Sequence, residues 1–206
     1  MKIQFPKKEE ILSFVQRVFQ LMTPYWGMFY FAALLLATHF AWKYSFTESL
    51  AMGGPPQIWL WQTFDCSQFF ESCVGYIVSS MDWLFTHVFG VDGYEIFGNR
   101  FYITEPTRSV ISIVWSCSGM KQLFIFTTML LLYPFAHKHK LWAIPSFGFV
   151  ILLLNLIRLM VLFNHMKTNP EDFEAWHEGS KYVFYAIMFG LWILWEEIVR
   201  RYAPRN

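Results

Sequence analysis

"LWAIPSFGFVILLLNLIRLMVLF", residues 141 to 163, is an apolar run broken late by Asn155 and Arg158. About 20 predominantly apolar residues cross a bilayer as a helix, so this run decides the fold class: the chain is read as an all-α polytopic membrane protein. Two further stretches repeat the signal, "PYWGMFYFAALLLATHFAWKY" (24 to 44) and "GMKQLFIFTTMLLLYPFA" (119 to 136). A fourth, "GSKYVFYAIMFGLWILWEEIV" (179 to 199), has aromatic residues at its ends, as interfacial anchors do. Its Glu196 and Glu197 are expected to pair with Arg200 and Arg201. The intervening "HKHK" (137 to 140) reads as a tight cationic turn.

Composition agrees with membrane embedding. Of 206 residues 55% are hydrophobic, 21% aromatic and only 15% charged. A net charge of +1 without a long basic run gives no reason to expect nucleic acid as a partner. The N-terminal segment carries Glu9, Glu10, Gln16 and Arg17 among its apolar residues and no small-residue cleavage site, so no removable signal peptide is expected. The whole chain, 1 to 206, reads as one integral membrane domain.

Residues 66 to 89, "CSQFFESCVGYIVSSMDWLFTHVF", are long enough to span but contain Glu71, Asp82 and His87. A carboxylate at mid-bilayer costs about 2.5–3.5 kcal/mol, so an amphipathic helix in the interface is the cheaper state. The basic residues arbitrate between the topologies. Four spans place Lys2, Lys7, Lys8 and Arg17, then Lys138 and Lys140, then Arg200, Arg201 and Arg205 all on the cytoplasmic side. A fifth crossing would split them, and is kept open only as the second topology. With four spans, residues 45 to 118 and a 164 to 178 loop lie outside the cytoplasm. There "GYEIFGNRFYI" and "RSVISIVW", separated by the turn-like "TEPT", predict a small β-hairpin.

The three cysteines are Cys66, Cys73 and Cys117. On one helix Cys66 and Cys73 would lie about 10.5 Å apart, beyond the roughly 7 Å limit for a disulfide, so no disulfide framework is expected. Cys117 stands in "WSCSGMKQ", at the start of the second span, where Ser116 or Ser118 can cap the helix. Unsatisfied amides at a helix start favour a thiolate, and the cation of Lys121, one turn on, adds to this. Arg158 lies about 7.5 Å from the end of its apolar run, and an arginine inside a membrane segment is a functional candidate. Asn155 shares its helical face. His177 opens the fourth span. Four-span topology therefore brings Cys117, Arg158 and His177 to one membrane face, which suits covalent acyl transfer. Gln122 is a lesser candidate for contact with a substrate backbone. Glu178, adjacent to His177, is badly placed to orient it.

At these places the sequence resembles the exosortase/archaeosortase family of membrane cysteine transpeptidases, in a short bacterial form. The C-S-G motif is matched by Cys117, Ser118 and Gly119, N-x-x-R by Asn155 and Arg158, and the histidine motif by His177 in "HEGSKYVF". The resemblance covers roughly residues 100 to 195, with lysine at 121 where arginine is common. It implies Cys117, Arg158 and His177 as catalytic residues, and Ser118, Gly119, Lys121, Gln122 and Asn155 as supporting or substrate-binding ones. The implied substrate is a secreted protein whose C-terminal sorting signal combines a recognition motif, an apolar helix and basic residues. Cleavage through a cysteine thioester would be followed by transfer to an amine or lipid-linked acceptor. The expected place is the bacterial inner membrane, with the site facing the extracytoplasmic side and no metal or organic cofactor.

The competing class is a non-catalytic membrane scaffold or transporter component, in which Arg158 pairs with Glu71 or Asp82 and Cys117 merely packs. Haem on His39 or His165 is not expected, because there is no CxxCH motif.

Overall fold

The computed structural model describes residues 26–50, 54–133 and 137–202. The N-terminal basic cluster, the segment read for a signal peptide, and Arg205 lie outside these residues. Within them run helix α1 (Trp26–Ser45), strands β1 (Phe46–Ser49), β2 (Gln57–Leu60) and β3 (Phe64–Asp65), and helix α2 (Ser67–Leu84). After these come β4 (Tyr94–Phe97), β5 (Arg100–Ile103), β6 (Ser109–Ser112), α3 (Met120–Leu132), α4 (His137–Thr168) and α5 (Phe173–Tyr202).

Helix predominates, as the apolar runs require. Two helical stretches among the described residues, Lys138–Thr168 and Pro170–Arg201, are long and apolar enough to cross a membrane, and Met120–Leu132 is a shorter apolar helix. The expected single hairpin is an understatement. Two antiparallel sheets form, β1-β2-β3 and β4-β5-β6. "GYEIFGNRFYI" is itself a hairpin, with Phe97 opposite Arg100 across the Gly98–Asn99 turn, and "RSVISIVW" supplies the third strand.

Two loops expected from the sequence are helical. The cationic "HKHK" is the first turn of α4, and Lys140 turns inward to donate to the carbonyls of Leu131, at 2.9 Å, and Tyr133. The last carbonyls of α3 have no partner within their own helix, and the ammonium serves them. The expected 164 to 178 loop shrinks to Asn169 and a 3-10 turn at Pro170–Asp172, because α4 continues to Thr168 and α5 begins at Phe173. So short a connection makes α4 and α5 antiparallel neighbours. Of the expected pairs at the far end of α5, Glu197 holds both Arg200 and Arg201, whereas Glu196 accepts from the Tyr133 hydroxyl at 3.0 Å.

The packing divides along α4. Ala143, Phe147 and Ile151 join α1, α3 and α5 in one core with Phe126, Trp192 and Trp195. About two to three turns on, Leu159 and Phe163 pack instead with Val78 and Met81 of α2 and Phe101 and Ile111 of the second sheet. Helix α2 is thus amphipathic. Phe70, Val74, Val78 and Met81 are buried, whereas Glu71, Tyr76 and Trp83 are exposed. At its start, Asp65 accepts from the Ser67 hydroxyl at 2.6 Å and amide at 2.9 Å, bonds that hold its carboxyl below the usual range.

Candidate active site

Cys117 is the last residue of a 3-10 turn, Trp115–Cys117, that leads from β6 into α3. It therefore precedes the helix rather than occupying its first turn. Gly119 is the N-cap, in the left-handed region at φ 77°, without a side-chain cap. Ser118 is fully buried; its hydroxyl donates to the Trp115 carbonyl at 2.6 Å and is only a distant, 3.4 Å acceptor for the Met120 amide. The expected serine cap is thus a turn-closing bond, and the fold of the turn sets the direction of the thiol. Ser116 is exposed.

Residues 60 positions apart meet here: Cys117 Sγ lies 4.0 Å from His177 Nε2. His177 sits on α5, stacked against Phe173 one turn earlier, with ring centroids 5.9 Å apart and planes 13° apart. Asn155, buried on α4, joins the Cys117 turn to the arginine. Its Nδ2 donates to the Cys117 carbonyl at 2.9 Å and its Oδ1 faces Arg158 Nη1 at 3.5 Å. The Arg158 Nε donates to Ser180 Oγ at 2.8 Å, and Ser180 donates to the His177 carbonyl at 2.7 Å. The guanidinium is within electrostatic reach of Cys117.

The remaining candidates surround this arrangement. Lys121 lies within electrostatic reach of Lys43 and Lys181. Gln122 Oε1 is buried without a hydrogen-bond partner. Glu178 pairs with Lys181, one turn on, not with His177. Arg158 bonds to neutral side chains, while Asp82 accepts from the Tyr94 hydroxyl at 2.9 Å and Glu71 is exposed. Among the described residues Arg158 thus pairs with neither Glu71 nor Asp82, and Glu178 is a carboxylate within its electrostatic reach.

Two apolar grooves are lined by neighbours of Cys117 in the site, though not by Cys117 itself. One, of about 540 Å³ between α4 and α5, has Arg158 and Ser180 among walls of Ile157, Val161, Val183 and Ile187. The other, of about 360 Å³, has Ser118, Met120, Cys73 and Leu153 in its lining. All three cysteines are free thiols. Among the described residues no group of three His, Cys, Asp or Glu side chains is placed to hold a metal ion.

Ser180, Phe173 and Glu48 were missed from sequence. Ser180 follows His177 by one helical turn, a signal hidden while α5 was taken to start at residue 179. Glu48 accepts from Trp115 Nε1 at 2.8 Å, pinning the turn that bears Cys117 to the first sheet.

The transmembrane exosortase family model matches residues 11–194 of the chain. Neither a curated protein nor a solved structure matches it.

Proposed function

As the chain belongs to the transmembrane exosortase family, we propose that it is a membrane cysteine transpeptidase with Cys117 as nucleophile, His177 as general acid and base, and Arg158 as oxyanion partner. The observation that carries this reading is the 4.0 Å approach of Cys117 Sγ and His177 Nε2, with Arg158 tied to the same loop through Asn155. A nucleophile within reach of a base, beside a fixed cation, is what acyl transfer needs.

In the proposed reaction His177 takes the thiol proton and the thiolate attacks the scissile carbonyl carbon. Charge builds on the carbonyl oxygen, where the Arg158 guanidinium stabilises it. Collapse breaks the C–N bond, and the imidazolium gives its proton to the leaving amine. The resulting thioester is attacked by an acceptor amine, His177 takes the proton from that amine, and the thiolate leaves. One acyl bond is exchanged for another without any redox change. Phe173, stacked on the imidazole, limits its rotation during these three proton transfers.

The substrate is a secreted protein with a C-terminal sorting signal, whose apolar helix enters laterally beside α4 and α5. Support comes from the α4–α5 groove, which is apolar along its walls and polar at Arg158 and Ser180. The site faces the extracytoplasmic side of the bacterial inner membrane, which the opposite placement of Lys138, Lys140, Arg200 and Arg201 on the same helices supports. Replacing Cys117 with Ala abolishes processing and leaves full-length secreted substrate, read by immunoblot. Hydroxylamine-sensitive acyl transfer to Cys117, read by mass spectrometry, is the direct sign. Processing at the wild-type rate by Cys117→Ala sinks the proposal.

A further inference from the structure

We infer that Ser180 is a positioning residue, a single hydroxyl that clamps Arg158 of α4 to the His177 turn of α5 and so holds the guanidinium beside Cys117. The inference rests on the reading of Arg158 and His177 given above, but its test does not need a substrate.

Ser180 Oγ does two things at once: it accepts from Arg158 Nε at 2.8 Å and donates to the His177 carbonyl at 2.7 Å. A serine bonding back to a carbonyl three or four residues earlier is ordinary in helices. Use of the same oxygen to receive a cation from the neighbouring helix is not required by helix geometry. The donation to the carbonyl fixes the hydroxyl rotor, so an oxygen lone pair is presented to the guanidinium. A hydrogen bond involving a charged group is stronger than a neutral one.

The other bond to Arg158 is the longer 3.5 Å contact of Nη1 with Asn155 Oδ1. Nε is thus anchored by Ser180, while the Nη end points toward Asn155, whose amide holds the Cys117 carbonyl at 2.9 Å. Arg158 also lines the α4–α5 groove. Without the clamp its long side chain can swing into that groove, away from the thiol. The freed side chain regains rotamer entropy by doing so.

The experiment uses the full-length protein in lipid vesicles with Cys66 and Cys73 replaced by Ser, leaving Cys117 as the reporter. Its modification rate is measured with an anionic reagent, sulfonatoethyl methanethiosulfonate, and a cationic one, trimethylammonioethyl methanethiosulfonate. A guanidinium held beside the thiol favours the anionic reagent. Ser180→Thr and Ser180→Val are matched in shape and differ in the hydroxyl.

The expected result is that Thr keeps the anionic-to-cationic rate ratio and Val lowers it by about threefold or more. Arg158→Gln lowers it as far, and Val then adds nothing in that background. Equal ratios for Thr and Val overturn the clamp, and so does an unchanged ratio in Arg158→Gln. A wild-type protein that shows the ratio effect but never forms a thioester keeps the clamp and removes the transpeptidase reading.

Discussion

Asn155 lies so close over Gly119 that a Cβ on the glycine would fall 3.0 Å from both Cγ and Nδ2 of the amide. The turn bearing Cys117 and α4 therefore meet backbone against side chain, and the same amide holds the Cys117 carbonyl. Gly119 is also at φ 77°. An L residue held there costs about 1–3 kcal/mol, before any clash with Asn155. Gly119→Ala should displace Asn155 and loosen Cys117 together. The expected outcome is a loss of thioester formation of tenfold or more, on the order of 1.4 kcal/mol, with the protein still extracted as a folded species. An unchanged acylation rate would show that the close approach is incidental.

The free thiols should differ in reactivity. Burial pushes the Cys73 thiol up from its ordinary range, so its thiolate fraction at neutral pH is reduced. A raised thiol pKa means that reaction accelerates only as pH rises above neutrality. With a small maleimide at pH 7, Cys117 should be labelled ahead of Cys73, and the gap should close as pH is raised toward 9. Peptide mapping of a time course reads this directly. Faster labelling of Cys73 at pH 7 contradicts the burial argument.

Much of this site was legible because its three motifs each carry their own signal. A cysteine between two serines and then a glycine at the edge of an apolar run, Arg158 within one, and His177 before one single out the candidates. Helix polarity then brings them to one end. What could not be read was how far the helices extend. Polar residues at 164 to 178 read as a loop, although α4 and α5 continue through most of them, and His165 packs on Trp176 across the connection with ring centroids 4.5 Å apart, a tertiary contact that no local pattern announces. The first sheet was invisible for a local reason. Its β2–β3 turn uses Trp61 and Gln62 at φ 51° and 58°, where an Asn-Gly pair would have announced a type I′ turn. The turn-like "TEPT", by contrast, announces the β5–β6 hairpin, whose strands Arg100–Ile103 and Ser109–Ser112 pair antiparallel as expected, whereas the Gly98–Asn99 turn inside the first piece goes unread. Ser180 and Glu48 belong to tertiary contacts, for which the sequence has no period.

Lys140 tests whether α3 depends on a partner for its last carbonyls. Its side chain is buried, at 6% exposure, and donates to Leu131 and Tyr133. Hydrogen bonds to charged groups contribute about 1.5–3 kcal/mol. Lys140→Met keeps the apolar stem and removes the ammonium, so the detergent-solubilised protein should melt several degrees lower. Lys140→Arg, too wide for the same seat, should recover only part of the loss. A melting temperature unchanged in Lys140→Met would mean that water or lipid serves those carbonyls equally well.

The turn bearing Cys117 is held from two directions, and the weaker hold can be removed alone. Asn155 restrains it from α4, while Trp115 Nε1 restrains it from the first sheet through Glu48 at 2.8 Å. The Trp115 ring is wedged between Trp42 and Phe70, with centroids 6.2 and 5.2 Å away. Trp115→Phe therefore keeps an aromatic in the stack and deletes the hydrogen bond, at about 0.5–1.5 kcal/mol. Because Cys117 and Ser118 amides bond within the turn, to Val114 and Trp115 carbonyls at 2.9 and 3.1 Å, hydrogen exchange reports its opening. Exchange in a peptide covering residues 114 to 119 should quicken about two- to tenfold in Trp115→Phe. Adding Asn155→Ala should quicken it by more than the product of the two single effects, since either restraint alone still closes the turn. Strictly multiplicative effects would mean that the two contacts hold separate structures, and that the first sheet has no part in aiming the thiol.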